Sequence, residues 1–165
     1  MRPAVLLPIL LLLPADLAAQ IGRSGPGADP RVAAALDAIG VEPEIDGDGD
    51  YKLTLKVDED GNRTQIVYVI SSTERYGNLE IREVWAPAFK TGGRLDADVA
   101  RAMLVTNDRM KLGAWRLYGE DDDQMAVYAV QIDADANAEA MRSALQIVVS
   151  VADAEELKRT GKDDY

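Results

Sequence analysis

The densest set of potential ligands in the chain is Asp46-Gly47-Asp48-Gly49-Asp50. Alternate carboxylates in a glycine-rich turn are what a hard cation such as calcium requires. The spacing departs from the EF-hand, however. A loop counted from Asp46 puts Tyr51 at the turn glycine and Val57 at the closing glutamate, and one counted from Glu44 places Gly49 correctly but ends on Leu55. We therefore read a solvated turn, with no metal ligands, and read Glu120 to Asp123 the same way. The chain has neither histidine nor cysteine. This removes the Ser/His and Cys/His nucleophile systems, the usual zinc sets and disulfides. Glycoside hydrolysis would need two carboxylates across a cleft, and the acids here fall in turns and at helix ends. No GxGxxG or P-loop occurs. The expectation is a protein without catalytic residues or cofactor.

The formal net charge of −11 makes this an acidic protein, repelled overall by nucleic acid and by anionic lipid. The charge is uneven. Residues 75–116, which include Arg101, sum to +3, and the remainder to −14. Such a stretch reads either as a basic patch facing a partner or as the solvated faces of its elements.

The elements that position these residues follow from periodicity. Met1-Arg2, the apolar run Ala4–Leu13 and the small residues Leu17, Ala18 and Ala19 predict an export signal over 1–19, cleaved near Ala19. The apolar run is too short for a stable membrane anchor. The mature protein is expected to be periplasmic or secreted. Residues 20–29 read as a flexible leader, 30–160 as one domain and 161–165 as a polar tail. Asp29-Pro30 starts a first helix carrying Val32, Ala35, Leu36 and Ile39 on one face. Tyr51, Leu53, Leu55 and Val57 alternate with polar residues as a first strand, and a turn at Asp58–Asn62 leads to a second strand around Ile66–Ile70 that is apolar on both faces. Leu79, Ile81 and Trp85 alternate with Glu80, Arg82 and Val84 in a third strand ended by Pro87. A second helix fits 95–108, two further strands fit Leu112–Gly119 and Met125–Ile132, and a last helix fits Ala136–Thr160. The predicted fold is α+β, an antiparallel five-stranded sheet with helices packed on it, in the order α-β-β-β-α-β-β-α.

The last helix carries two apolar stripes, Met141-Leu145-Val148-Ala152 and Ala140-Ala144-Ile147-Val151. One stripe covers the sheet. The second needs cover from the same chain or from another subunit, unless the helix breaks near Ser150. Among the aromatic residues on predicted strands, Tyr51, Tyr68, Trp85, Trp115, Tyr118 and Tyr128, most belong to a core and an exposed subset would form a binding face. Candidate partner-binding residues are therefore Trp85, Arg101, Trp115, Ile147 and Val151.

The stretch Leu36–Val41 before an acidic turn, together with Gln65–Ile70, Leu79–Trp85, Met103-Leu104-Val105-Thr106-Asn107, Trp115–Tyr118 and Met141–Leu157, resembles the YbjN family. The resemblance covers about residues 30–160. It implies a fold similar to type III secretion chaperones, an antiparallel sheet with helices, commonly dimeric. The family is sometimes described as a sensory transduction regulator. The resemblance thus implies a non-catalytic, chaperone-like module, a homodimer that binds a polypeptide, or else a regulatory module that holds a small ligand in a pocket. Secretion chaperones of that fold act in the cytoplasm, whereas this chain begins with an expected export signal.

Overall fold

Asp29 begins the first helix for a local reason: its side chain accepts a hydrogen bond from the Arg31 amide, and Pro30 supplies a helical φ where no amide is needed. The computed structural model describes residues 27–58, 62–120 and 123–165. The expected signal and all but the last three leader residues lie outside these, as do the tips of the turns at Asp58–Asn62 and Glu120–Asp123. The elements run α1 (Pro30–Ala38), β1 (Glu44–Ile45), β2 (Tyr51–Lys56), β3 (Thr64–Val69), β4 (Glu74–Tyr76), β5 (Leu79–Lys90), α2 (Ala97–Arg109), β6 (Ala114–Tyr118), β7 (Met125–Asp133) and α3 (Ala138–Thr160).

The class is α+β with an antiparallel sheet, as expected, but the sheet has seven strands rather than five. The two additional strands are short. β1 pairs Glu44 and Ile45 with Lys52 and Tyr51, and β4 folds onto the start of β5 through Gly77-Asn78. Strands of two or three residues are too short to show an alternating pattern. Six strands lie abreast in the order β1-β2-β3-β5-β7-β6, with β4 beside β3 on the same edge of β5.

The third expected strand does not stop at Pro87. β5 continues to Lys90, with a register shift between Pro87 and Phe89. Proline is tolerated there because of which edge it faces. The Glu83 carbonyl accepts from the amide of Ile70, the residue just after β3, so Glu83, Trp85 and Pro87 turn their backbone groups toward β3. The β3–β5 pairing holds at Tyr68↔Trp85 and Val69↔Val84. Pro87 thus lacks a donor just where the two strands diverge. Gln65 bridges the widening seam, its Nε2 donating to the Pro87 carbonyl at 2.8 Å.

α3 lies across β3, β5 and β7, α1 packs against α3, and α2 packs on β6. The first stripe of α3 is buried, with Val148 and Ala152 fully enclosed. In the second stripe Ala144 is buried, Ile147 and Val151 are half-buried against the core, and Ala140 is exposed. The helix runs unbroken through Ser150 and ends at Gly161, whose left-handed φ of 65° turns the chain away. Its far half is covered within the chain: Arg159 lies 5.1 Å over the Phe89 ring, on the part of β5 beyond Pro87. At the sheet edge, the Asn107 side chain of α2 accepts from the Trp115 amide at 2.7 Å and donates to the Trp115 carbonyl at 3.3 Å. These bonds occupy polar groups that an edge strand leaves open.

Candidate functional site

Period-two alternation divides the strands between two environments. Tyr51, Leu53, Val67, Val69, Val84, Tyr128 and Trp115 belong to the core beneath the helices. Their neighbours Ile66, Tyr68, Ile70, Glu83, Trp85, Arg116 and Tyr118 point to the opposite face, where they line a groove of about 700 Å³. A row of three rings crosses its floor. Tyr68 stacks on Trp85 with centroids 4.4 Å apart, and Trp85 on Tyr118 at 5.2 Å. Tyr68 and Trp85 are directly opposed cross-strand partners. Tyr118 comes from β6, two strands beyond β5, and reaches Trp85 across the β7 side chains Met125, Val127 and Ala129. Tyr118 is 56% exposed. Such rings present flat, polarisable faces to an apolar or cationic group.

Charge around the groove is predominantly negative. Glu83 is paired with Arg116 and accepts from Gln131 Nε2 at 2.9 Å, so this pair is close to neutral. Asp46, Asp48 and Asp50 line one end, and Asp164 and Tyr165 the other. The Asp46–Asp50 loop is a turn held by its own carboxylate. Asp46 Oδ1 accepts from the Asp48 and Asp50 amides at 2.9 and 3.0 Å, and Asp50 Oδ1 accepts from the Ser71 amide at 2.7 Å. Burial pushes the Asp50 carboxyl above its ordinary pKa.

Of the five expected partner-binding residues, the structure places Trp85 in the groove. Trp115 is on the other face, 8% exposed, with its ring edge-on to Tyr128 at 5.3 Å. Arg101 is exposed on α2, while Ile147 and Val151 are half-buried on α3. The five do not converge. The groove instead combines Trp85 with Tyr68, Tyr118, Arg116 and the Asp46–Asp50 turn. The sequence signal for this was the Ile66–Ile70 run, apolar on both faces, which required cover on the second face.

Two buried ionic clusters lie elsewhere. At the start of α1, Arg82 Nη2 meets Asp29 Oδ2 at 2.5 Å, and its Nη1 donates to the carbonyls of Ile70 and Ser71 at 2.6 and 3.0 Å. Burial alone would raise the Asp29 pKa, but hydrogen bonds from Arg31 and Arg82 outweigh it and hold this carboxyl well below the usual range. At the end of α3, carboxylate oxygens of Asp153, Glu156 and Asp163 lie within 4.8 Å of one another. Arg63 supplies the positive charge among them, 2.6 Å from Asp153 and 3.9 Å from both Glu156 and Asp163. Its guanidinium offsets part of their negative charge.

Glu156 is fully enclosed, its Oε2 has no hydrogen-bond partner among the described residues, and burial pushes its pKa up. The folded state therefore holds this proton more tightly than the unfolded chain does. The group's contribution to stability is complete below its ordinary value of 4.5 and is lost as pH rises through the raised folded value. Glu156→Gln retains the acceptor for the Asp164 amide and removes the titration. The variant should gain stability relative to the wild-type protein between pH 4 and pH 7, measured by urea midpoints. A gap that stays constant with pH would contradict this origin.

No curated protein and no solved structure matches the chain, and among the described residues no helix is long and apolar enough to cross a membrane. A family model does match: residues 29–154, from the helix-capping aspartate through most of α3, fit the one described as "putative bacterial sensory transduction regulator". That span takes in all ten elements except the end of α3, with the whole aromatic row and the Arg82 cluster inside it, and so the chain belongs to the YbjN family.

Proposed function

We propose that this protein is a non-catalytic binding module in which the sheet face opposite α1, α2 and α3 receives an extended, basic segment of polypeptide. The observation that carries this reading is the aromatic row Tyr68-Trp85-Tyr118 with Asp46, Asp48 and Asp50 at one end of the same groove. Stacked rings attract alkyl stems and guanidinium or ammonium groups, and the acidic rim supplies the matching charge. The four strands that line the groove, β3, β5, β7 and β6, lie about 4.8 Å apart and make a surface roughly 14 Å wide, enough for about four extended residues. A small ligand is the second reading, favoured by a volume within the usual range for ligand pockets, about 300–1,000 Å³. The groove's extent across several strands supports the polypeptide.

The test is fluorescence anisotropy with two labelled peptides, one alternating Lys and Val and one alternating Glu and Val. The Lys/Val peptide should bind and weaken with added salt, and the Glu/Val peptide should not. Equal binding of both would contradict the charge argument. Binding of neither would contradict the peptide reading.

Export and pairing of two copies, both expected from the sequence, belong to the same proposal. Export requires a mature amino terminus near Gln20 by mass spectrometry, and an intact Met1 in the exported fraction would contradict it. Pairing requires a dimer by sedimentation, and a monomer at every concentration would contradict that.

A further inference from the structure

Residues 162–165 hold one end of the groove, and the way they do so points to control of access. Gly161 turns the chain off α3, and the segment then returns along β3. Asp163 Oδ1 accepts from the Thr64 amide at 3.2 Å, and the Tyr165 carbonyl accepts from the Ile66 amide at 3.0 Å. By strand alternation these two amides lie on the edge of β3 that faces β5, as does the Ile70 amide bonded to Glu83. They fall where β5 has turned away after Pro87. The segment thus takes the place of a neighbouring strand, while Asp164 and Tyr165 line the groove beside it.

Its hold is polar and shallow. Arg63 Nη1 donates to the Lys162 carbonyl at 3.0 Å, and Glu156 Oε1 accepts from the Asp164 amide at 2.6 Å. Lys162, Asp163 and Asp164 are otherwise exposed. A short segment whose first three residues are exposed, with only Tyr165 half-buried, and which is held mainly by hydrogen bonds, opens at lower free energy than the core beneath it. Resting on the reading of the groove as a peptide site, we propose that residues 162–165 are a releasable latch. Docked, they occupy the open edge of β3 at Thr64 and Ile66. Released, they leave that edge to pair with the backbone at one end of the incoming segment, which then turns across the strands onto the aromatic row.

Two variants test this, a chain that stops after Gly161 and Asp164→Pro, which keeps the segment but removes the amide that Glu156 accepts. Both should still melt cooperatively by circular dichroism, with some loss of stability because the enclosed Glu156 carboxyl loses the Asp164 amide. Hydrogen exchange at the Thr64 and Ile66 amides should accelerate about tenfold or more in both, since net hydrogen-bond contributions of this kind correspond to such factors. The Lys/Val peptide should bind both variants about tenfold more tightly than the full chain. Unchanged exchange at Thr64 and Ile66 would overturn the latch itself. Accelerated exchange with equal or weaker peptide binding would overturn its control of the groove. Absence of binding by full chain and variants alike would overturn the peptide reading, and the gating with it.

Discussion

Substituting alanine for Arg82 should destabilise the protein by about 3 kcal/mol, near the lower end of the range for removing one partner of a buried ion pair. Arg82 is only 1% exposed, on the core side of β5. Its loss leaves the carbonyls of Ile70 and Ser71 without this donor and Asp29 with Arg31 alone among its guanidinium partners. The remaining Arg31 contact is why the upper end of the range is not expected. The variant should also change the acid limb of stability. Asp29 has a depressed folded pKa, so its contribution is present above its ordinary value of 3.8 and is lost as pH falls through the folded value. Without Arg82 that depression is smaller, and the variant should show less acid dependence. Urea unfolding at neutral and acid pH measures both effects. A loss below about 1 kcal/mol would show that the cluster is no stronger than a surface ion pair.

Trp85→Ala should weaken binding of the Lys/Val peptide by about ten- to thirtyfold while the fold persists. Trp85 is the middle ring of the row, so its removal takes away the central surface offered to the peptide, and stacking and cation–π contacts from the peptide to such a ring are each worth about 1 kcal/mol. The control is Trp115→Ala. That residue is in the core, against Tyr128, and its truncation should cost about 3–5 kcal/mol of stability as a large cavity. Peptide affinity of whatever remains folded should stay near that of the unaltered protein. If the two variants lost affinity equally, the groove would have no special claim to the partner.

The helices were readable because their signals are local. Asp29-Pro30 and Gly161 mark ends through capping geometry, and the 4-3-4 spacing of Met141, Leu145, Val148 and Ala152 fixed which side of α3 turns inward. The strands were readable as elements but not as faces. In β5 the alternation of Leu79, Ile81 and Trp85 with polar residues pointed one way, yet Arg82 and Val84 face the core, and Leu79 is exposed. An arginine on the core face contradicts its hydropathy, and it is accommodated by partners remote in sequence: Asp29 lies 53 residues away. The groove was hidden for the same reason. Tyr68, Trp85 and Tyr118 sit on β3, β5 and β6, and their adjacency depends on a strand order that no local pattern encodes. The five-residue tail gave only a polar composition. Its seat on β3 follows from the divergence at Pro87, which the sequence showed only as a strand stop.

The partner is expected on the sheet face opposite α1, α2 and α3. Amide and indole chemical shifts recorded during titration with the Lys/Val peptide test it most directly. The account predicts that the changes cluster at Tyr68, Trp85, Tyr118 and the Asp46–Asp50 turn, with a second set at Ile66 and Asp164 where the latch lets go. Changes confined to Arg101, Ile147 and Val151, on the helical side, would contradict it and move the binding surface to the opposite face of the molecule.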